Sequence, residues 1–598
     1  MRRLWIPLCV FTATFAAFLP CLRNDFVSWD DYPLLVLNPH YRGFRPEQLR
    51  WMFAGVRFNN YVPLTWLSFA ADYSLWGMKP FGYHLTNLLL HSLNAVLFYF
   101  LAKRLLATGT HENEPPLALE LSAGLAALLF SIHPLRVESV AWAVERRDVL
   151  SGAFYLGTLL AYLRWAAGPQ AGRRRWYWIS VALFGLSLLS KGIGVSLPLL
   201  LLILDAYPLR RTAWREKIPY FLLAAATGLI GLFGQADPEI MRPLTGYGAG
   251  PRLAQTCYSL CFYLWKTAQP SRLWPIYELP ARIDLGSSPY VWCAAAVIVV
   301  TALLWAARRR FPAPLAAWCA YVAALLPVSG PVQFGRQIAA DRYTYLACMS
   351  WALLAGAIIR RLLIGRKQPL GFAAVLFAAL LPVGALTWRQ TLYWRDSDSL
   401  WRHVLAMDPH NSTGHKGLGD LLRERGLRDE ALGHFQQAVA SDPNSWGAQN
   451  DLGLALAESH DLAGAVAHYE EALRIVPNSA VTHNNLGTAL GDEGNVDGAI
   501  MHFQEALRVK PDYVEAHANL GMALARRGRV REGMDELAAA LLLDPACGEA
   551  HNNMGLLLAG QNRWEEAIAH YQAALKVLPN HPVILANLRK SLAARRAP

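Results

Sequence analysis

Along the first two-thirds of the chain, apolar residues run in long blocks; along the last third they recur at helical spacing among Asp, Asn, His and Gln. Blocks long enough to cross a bilayer as helices, or nearly so, fall at 4–22, 82–104, 117–132, 148–165, 176–190, 193–207, 218–234, 290–307, 312–328, 343–361 and 370–388. The pattern predicts about 11 transmembrane helices. The pair at 176–207 is short, so it is either half-embedded or displaced by a few residues. Segment 253–269 is also apolar, but it contains Lys266 and leads into Pro270 and Pro275. It is predicted to lie at the interface or re-enter. At about residue 395 the composition turns polar, so the expected fold is all-α throughout: a membrane domain over 1–391, a linker with a first helix over 392–409, and a soluble domain over 410–598.

In the soluble part, Pro409, Pro443, Pro477, Pro511, Pro545 and Pro579 recur every 34 residues. Gly419, Gly453, Gly487, Gly521 and Gly555 keep the same period, as do Ala438, Ala472, Ala506, Ala540 and Ala574. A 34-residue helix–turn–helix period with small residues where helices meet is the tetratricopeptide signature. Five repeats are predicted at 410–443, 444–477, 478–511, 512–545 and 546–579, with a capping helix behind them. Such solenoids present a concave groove to a partner. Two residues before the repeat glycine stand Asp451, Asn485, Asn519 and Asn553, with Gly417 breaking the series. This column is expected to face the groove, where carboxamides can hold an extended backbone without reading its sequence. Alternatively, Asn is simply common there.

The net charge of +12 first suggests nucleic acid, but the cations sit in short clusters between apolar blocks, and no nucleic-acid module is present. Arg2-Arg3, Lys103-Arg104, Arg173-Arg174-Arg175, Arg210-Arg211, Arg308-Arg309-Arg310 and Arg360-Arg361 all fall on one side if the spans alternate. The positive-inside rule makes that side cytoplasmic, so the N-terminus is inside and the repeats are outside. Residues 4–22 are too long for a signal-peptide core and read as an uncleaved anchor. Eight Cys without a CxxC carry no mechanism.

This topology gathers polar groups on the outer face. Behind the first span comes Asn24-Asp25-Phe26-Val27-Ser28-Trp29-Asp30-Asp31-Tyr32, an acid pair among aromatics at the bilayer edge. Charge there is usually retained for a purpose. The pair is either two solvated acids or a catalytic carboxylate facing a lipid-linked substrate. Further outer loops hold His133 to Glu138, Glu145 to Asp148, the Ser190-Lys191-Gly192 turn, and Arg336 with Asp341-Arg342. Acids and cations converging on a membrane surface suit lipid-phosphate chemistry: Arg donates bidentately, Lys acts as a point charge, and carboxylates serve as base or metal ligand. His84 and His91 share one helix face and are either ligands or polar glue between helices.

With these pieces together the chain resembles the transmembrane-and-tetratricopeptide O-mannosyltransferase family, whose membrane domain is of the GT-C type. The motifs that carry the resemblance are Asn24 to Asp31, Tyr83-His84-Leu85-Thr86-Asn87-Leu88-Leu89-Leu90-His91, His133-Pro134 through Glu138, Arg147-Asp148 and Ser190-Lys191-Gly192. The resemblance implies an enzyme that takes a sugar from a polyprenyl-phosphate carrier on the outer face. It points to Asp30 or Asp31 in the outer loop 23–81 as the acid that activates the acceptor or holds a divalent cation, Mg or Mn. Two departures stand out: Tyr61-Val62-Pro63 replaces the eukaryotic Tyr-Arg-Pro, and Gly192 follows Lys191 where an acid is usual. A short repeat array and an Ala597-Pro598 end without an ER retention signal suggest a bacterial inner-membrane member.

The expected function is therefore an inverting membrane glycosyltransferase, moving mannose or another sugar to an acceptor, with protein favoured over lipid or glycan. Asp30 or Asp31 is base or metal ligand; Lys191, Arg336 and Arg342 hold the donor phosphate; His84, His91, His133, Glu138 and Asp148 form a second tier. The repeats bind a polypeptide or partner protein. The rival reading is a non-catalytic membrane scaffold whose repeats recruit partners for envelope assembly. A transporter would require charges near the midplane, where only Asp205 and Lys191 come close.

Overall fold

A computed structural model describes residues 4–58, 60–108, 116–167, 172–234, 248–280, 283–330, 337–364, 366 and 368–596. The chain forms two compact units, Met1–Pro409 and His410–Pro598. Both are α-helical. Among the described residues the only sheet is a two-stranded antiparallel ribbon, β1 Tyr277–Glu278 with β2 Gln337–Ala339.

The first unit opens with α1 Trp5–Ala17, α2 Pro46–Phe53, α3 Pro63–Trp76, α4 Pro80–Ala107, α5 Pro116–Ser131 and α6 Val137–Ala141. It continues with α7 Arg146–Ala167, α8 Arg173–Ser190, α9 Leu197–Ala206, α10 Ile218–Gly234, α11 Ala249–Ala268 and α12 Ser288–Ala307. It closes with α13 Pro312–Leu325, α14 Thr344–Ala347, α15 Met349–Leu363, α16 Pro369–Ala378, α17 Leu381–Leu392 and α18 Ser397–Met407. Proline occupies the first or second position of many of these helices, where its missing N–H has no intrahelical role.

Apolar helices occupy every predicted block. By length and composition, however, three helices among the described residues can cross a membrane: Pro80–Ala107, Ser288–Ala307 and the joined Pro369–Leu392. Two bent pairs raise that to five: Pro116–Ser131 with Pro134–Ala141, bent by 59°, and Asp341–Ala347 with Met349–Leu363, bent by 53°. α12 has no buried residue and exposes Trp292, Ile298 and Leu303, a surface that belongs in lipid rather than water. In α11 the buried Lys266 ammonium donates to the carbonyls of Ser271 and Arg272, at 3.0 and 2.8 Å, which satisfies its charge inside the fold.

The second unit alternates antiparallel pairs: α19 Ser412–Glu424 with α20 Arg428–Ser441, α21 Trp446–Glu458 with α22 Leu462–Ile475, and α23 Ala480–Asp492 with α24 Val496–Val509. α25 Val514–Arg526 pairs with α26 Val530–Leu543, α27 Gly548–Gly560 with α28 Trp564–Val577, and α29 Pro582–Arg596 caps the array. The glycine column has a direct cause. A Cβ at Gly419, Gly453, Gly487 or Gly555 would sit 2.7–2.8 Å from the ring of Phe435, Tyr469, Phe503 or Tyr571 on the paired helix. Asn411, Ser445 and Ser479 start the first helix of their repeats by accepting a backbone N–H in the first turn.

Candidate active site

The two bent pairs put charge where a straight span would put apolar side chains. His133 and Pro134 break the helix after α5, and its short continuation carries Glu138; the turn Asp341–Tyr343 ahead of the second bend carries Arg342. These limbs meet. Glu138 accepts the Arg342 backbone N–H at 2.9 Å and a direct ion pair from its guanidinium. Arg342 also lies over Trp142 at 5.5 Å, and Trp29 stacks on Trp142 at 4.3 Å.

Glu145, in the tight turn before α7, is the hub. Its carboxylate receives Arg147 at 2.6 Å, Lys191 at 2.7 Å and Arg342 at 3.6 Å. Lys191 extends from the break between α8 and α9, and bonds Asp148 at 2.8 Å as well; Ser139 donates to the other oxygen of Asp148 at 2.9 Å. Burial opposes charge on Glu145, yet Arg147, Lys191 and Arg342 together hold its carboxyl well below the usual carboxylate range. The Lys191 ammonium, expensive if alone near the membrane, thus has two carboxylates.

Asp30 and Asp31 are adjacent in sequence and differ in surroundings. Asp31 is buried, and its two oxygens accept the backbone N–H groups of Val27 at 3.1 Å and Val144 at 3.0 Å. It pins the first outer loop to the turn that carries Glu145. Burial nevertheless pushes its carboxyl up to about 7. Asp30 keeps 40% of its side chain exposed and points one oxygen at Arg147, 4.0 Å away. Its carboxyl is also raised, by burial working against Arg147. A divalent cation shared by the two acids fits this donor set poorly, because both Asp31 oxygens already accept backbone N–H groups. Among the described residues no three His, Cys, Asp or Glu assemble as a metal-binding group.

The loop bearing Asp30 is clamped from the far end of the unit. Ser28 donates its backbone N–H to Ser397 Oγ at 2.7 Å, Trp401 donates its indole N–H to Ser28 Oγ at 3.3 Å, and Asp25 N–H reaches the Arg395 carbonyl at 2.8 Å. The helix α18, ahead of the repeats, therefore helps shape the candidate site.

Of the residues named from sequence, the structure brings together Asp30, Glu138, Asp148, Lys191 and Arg342, with Asp31 beside them. Arg336 lies outside the described residues. His91 bridges helices, binding Tyr345 OH and the Ser131 carbonyl, each at 2.9 Å. His133 accepts the Leu135 N–H and bonds the Thr267 carbonyl, so both its nitrogens hold the break after α5. His84 is buried on α4, and among the described residues no hydrogen bond or ion pair joins it to the cluster. Glu145 and Arg147 complete the network. Their signal in the sequence was the run Glu145-Arg146-Arg147-Asp148, four charges beside a span; Arg146 is different, buried against Asp72, Asn87 and the Tyr83 carbonyl as a tie between α3, α4 and α7.

On the repeats, Asn485 donates to Asn450 Oδ1 at 3.1 Å and Asn519 to Asn484 Oδ1 at 3.0 Å, each linking one repeat to the one before. Asp451 pairs with Lys416 at 2.7 Å, and Asn553 accepts from Asn552 at 3.4 Å. The column is half-buried, and the amides of Asn485 and Asn519 are engaged between repeats.

The class defined by these features is an all-α membrane protein carrying a tetratricopeptide solenoid. Tetratricopeptide repeat models match residues 401–480, 490–557 and 548–581. The chain is similar to the protein O-mannosyl-transferase Tmtc3 of Drosophila melanogaster, 26% identical over 64% of this chain and 48% of that protein. It is likewise similar to the protein O-mannosyl-transferase TMTC1 of Homo sapiens, 25% identical over 70% of this chain and 53% of that protein. The chain thus spans about half the length of these curated relatives. The solved tetratricopeptide protein YrrB, described as having an unusual peptide-binding site, is 22% identical over 32% of this chain and 97% of its own, with a TM-score of 0.26. The resemblance to the transmembrane-and-tetratricopeptide O-mannosyltransferase family, read first from the motifs, is supported by these relatives.

Proposed function

We propose that the chain is a GT-C type membrane glycosyltransferase that moves a sugar, mannose as in the names of its relatives, from a polyprenyl-phosphate donor to a polypeptide on the extracytoplasmic face. The observation that carries this reading is Asp30: a part-exposed carboxylate 4.0 Å from Arg147, beside the cations Glu145 gathers, Arg147 from its own turn and Lys191 and Arg342 from two distant segments. Asp30 takes the proton of an acceptor hydroxyl as that oxygen attacks the anomeric carbon. The bond from that carbon to the phosphate oxygen breaks, and the configuration inverts. Arg147, Lys191 and Arg342 balance the charge growing on the departing phosphate. A carboxyl raised above its ordinary value is a stronger proton acceptor for this step than a free Asp. Asp31 acts one step back, fixing the loop on which Asp30 sits. The solenoid binds the polypeptide acceptor, and the N-terminus is cytoplasmic.

The test is transfer of radiolabelled sugar from a panel of polyprenyl-phosphate donors in membranes, comparing wild type with Asp30→Asn. Label incorporated by the wild type and lost in the variant supports the enzyme and names the sugar. No incorporation from any donor, with folded protein present, moves the reading to the scaffold.

A further inference from the structure

We propose that Arg57 and Arg147 form a phosphate-binding pocket beside Asp30, and that it takes the phosphate of a lipid-linked polyprenyl donor. The assignment rests on the glycosyltransferase reading for its occupant, and on geometry for the site itself. Arg57 and Arg147 line one small pocket with Asn60, Trp66 and Phe69, and no carboxylate is among the described residues that line it. Two guanidinium groups line one cavity, and Glu145 and Asp30, the carboxylates that balance Arg147, are not among the residues that line it. The Nε atoms of both arginines are buried with no hydrogen-bond partner among the described residues. Arg147 is anchored through its other end on Glu145, whereas Arg57 has no ion-pair partner among the described residues and lies over the Trp51 ring at 5.2 Å. Arg57 is held in place by its backbone, which exchanges two 2.9 Å hydrogen bonds with Asn60. Its guanidinium therefore lines the pocket with an Nε donor that has no partner among the described residues.

Planar, bidentate donors in a part-apolar wall match a phosphate group better than a carboxylate-free pocket matches any cation. The lipid source follows from the rim. Phe58, itself exposed, lines the pocket; Phe53 is exposed at the end of the short helix α2, and Arg45 and Arg50 stand on or beside that helix, a composition suited to the headgroup level of a bilayer. Arg147 links the pocket to Asp30, so a phosphate held there brings its sugar to the carboxylate.

The experiment measures binding by the purified full-length chain in nanodiscs, with polyprenyl phosphate in the disc or inorganic phosphate in solution. Arg57→Gln is expected to weaken polyprenyl-phosphate binding about tenfold, the scale of one lost charge-assisted contact. In the transfer assay the same variant raises the donor KM and changes kcat little. Lys79→Gln, which removes an exposed cation outside the pocket and its rim, leaves binding unchanged. If Arg57→Gln does not accumulate, Arg57→Lys decides: losing the guanidinium fork must weaken binding several-fold. Wild-type affinity in folded Arg57 variants overturns the pocket. Inorganic phosphate binding as tightly as the lipid, with the same dependence on Arg57, overturns the lipid assignment. Arg57-dependent lipid binding without transfer from any donor sinks the glycosyltransferase reading and leaves the pocket standing.

Discussion

Asp30 and Asp31 show how far neighbours in sequence diverge once burial and hydrogen bonding are counted. Asp31 is held near pH 7 by burial despite two backbone N–H groups, whereas an unfolded Asp titrates near 4. Its folded pKa is raised, so the native state binds more protons than the unfolded state between about pH 4 and 7. Stability from this group is full below pH 4 and is lost as pH rises toward 7. Asp31→Asn should flatten that slope in thermal melts; an unchanged slope contradicts the burial argument. At Glu145 the outcome is larger. Glu145→Gln leaves Arg147, Lys191 and Arg342 without their shared acceptor, which costs about 3–5 kcal/mol for a buried network of this kind. The measurement is the melting temperature together with residual transfer. Asp30 was legible as a candidate from its place behind an apolar block, but its separation from Asp31 was not. The contact that sets Asp31 apart comes from Val144, and no local pattern announces a partner 113 positions away.

Among elements, the repeats were the most legible part of the chain because each 34-residue unit solves the same packing problem. Pro follows the second helix, and Gly lets the paired helix approach, through Leu537 and the Gly533 backbone in the fourth repeat and through an aromatic ring in the other four. Gly453→Ala would drive a methyl into Tyr469, with a destabilisation of about 1–3 kcal/mol from overpacking, read as earlier unfolding of the repeats by limited proteolysis. A second recurrent pair was not read from the sequence. His483 and His502 meet at 3.0 Å, as do His551 and His570, while Gln449 takes the first place opposite His468. Burial holds His483 and His502 below the ordinary histidine value. Depressed histidines favour the neutral form in the fold, so below about pH 6.5 the unfolded state gains protons first and stability falls. His483→Gln, which copies the partner found in the neighbouring repeat, should reduce the loss of melting temperature between pH 7 and 5. In the membrane unit, helix existence was legible from apolar blocks. The bends after α5 and before α15 were not, because Pro134 alone does not tell a broken span from a loop.

For the whole molecule, composition separated membrane unit from solenoid at the polar shift near residue 395, and the two compact units divide at Pro409. The network at the site was only half legible. Glu138, Asp148, Lys191 and Arg342 could be named as outer-face charges, yet their assembly around Glu145 depends on three segments folding onto one turn. In the proposed reaction this network orients cations for a departing phosphate while Asp30 alone meets the acceptor hydroxyl. The most direct test is kcat/KM for purified Asp30→Asn beside Asp31→Asn, each checked for melting temperature. Asp30→Asn should melt like wild type and lose about 10²–10⁴-fold in kcat, the usual contribution of a general base. Asp31→Asn should shift the melting temperature and keep measurable turnover. A folded Asp30→Asn protein with wild-type kcat would contradict the account.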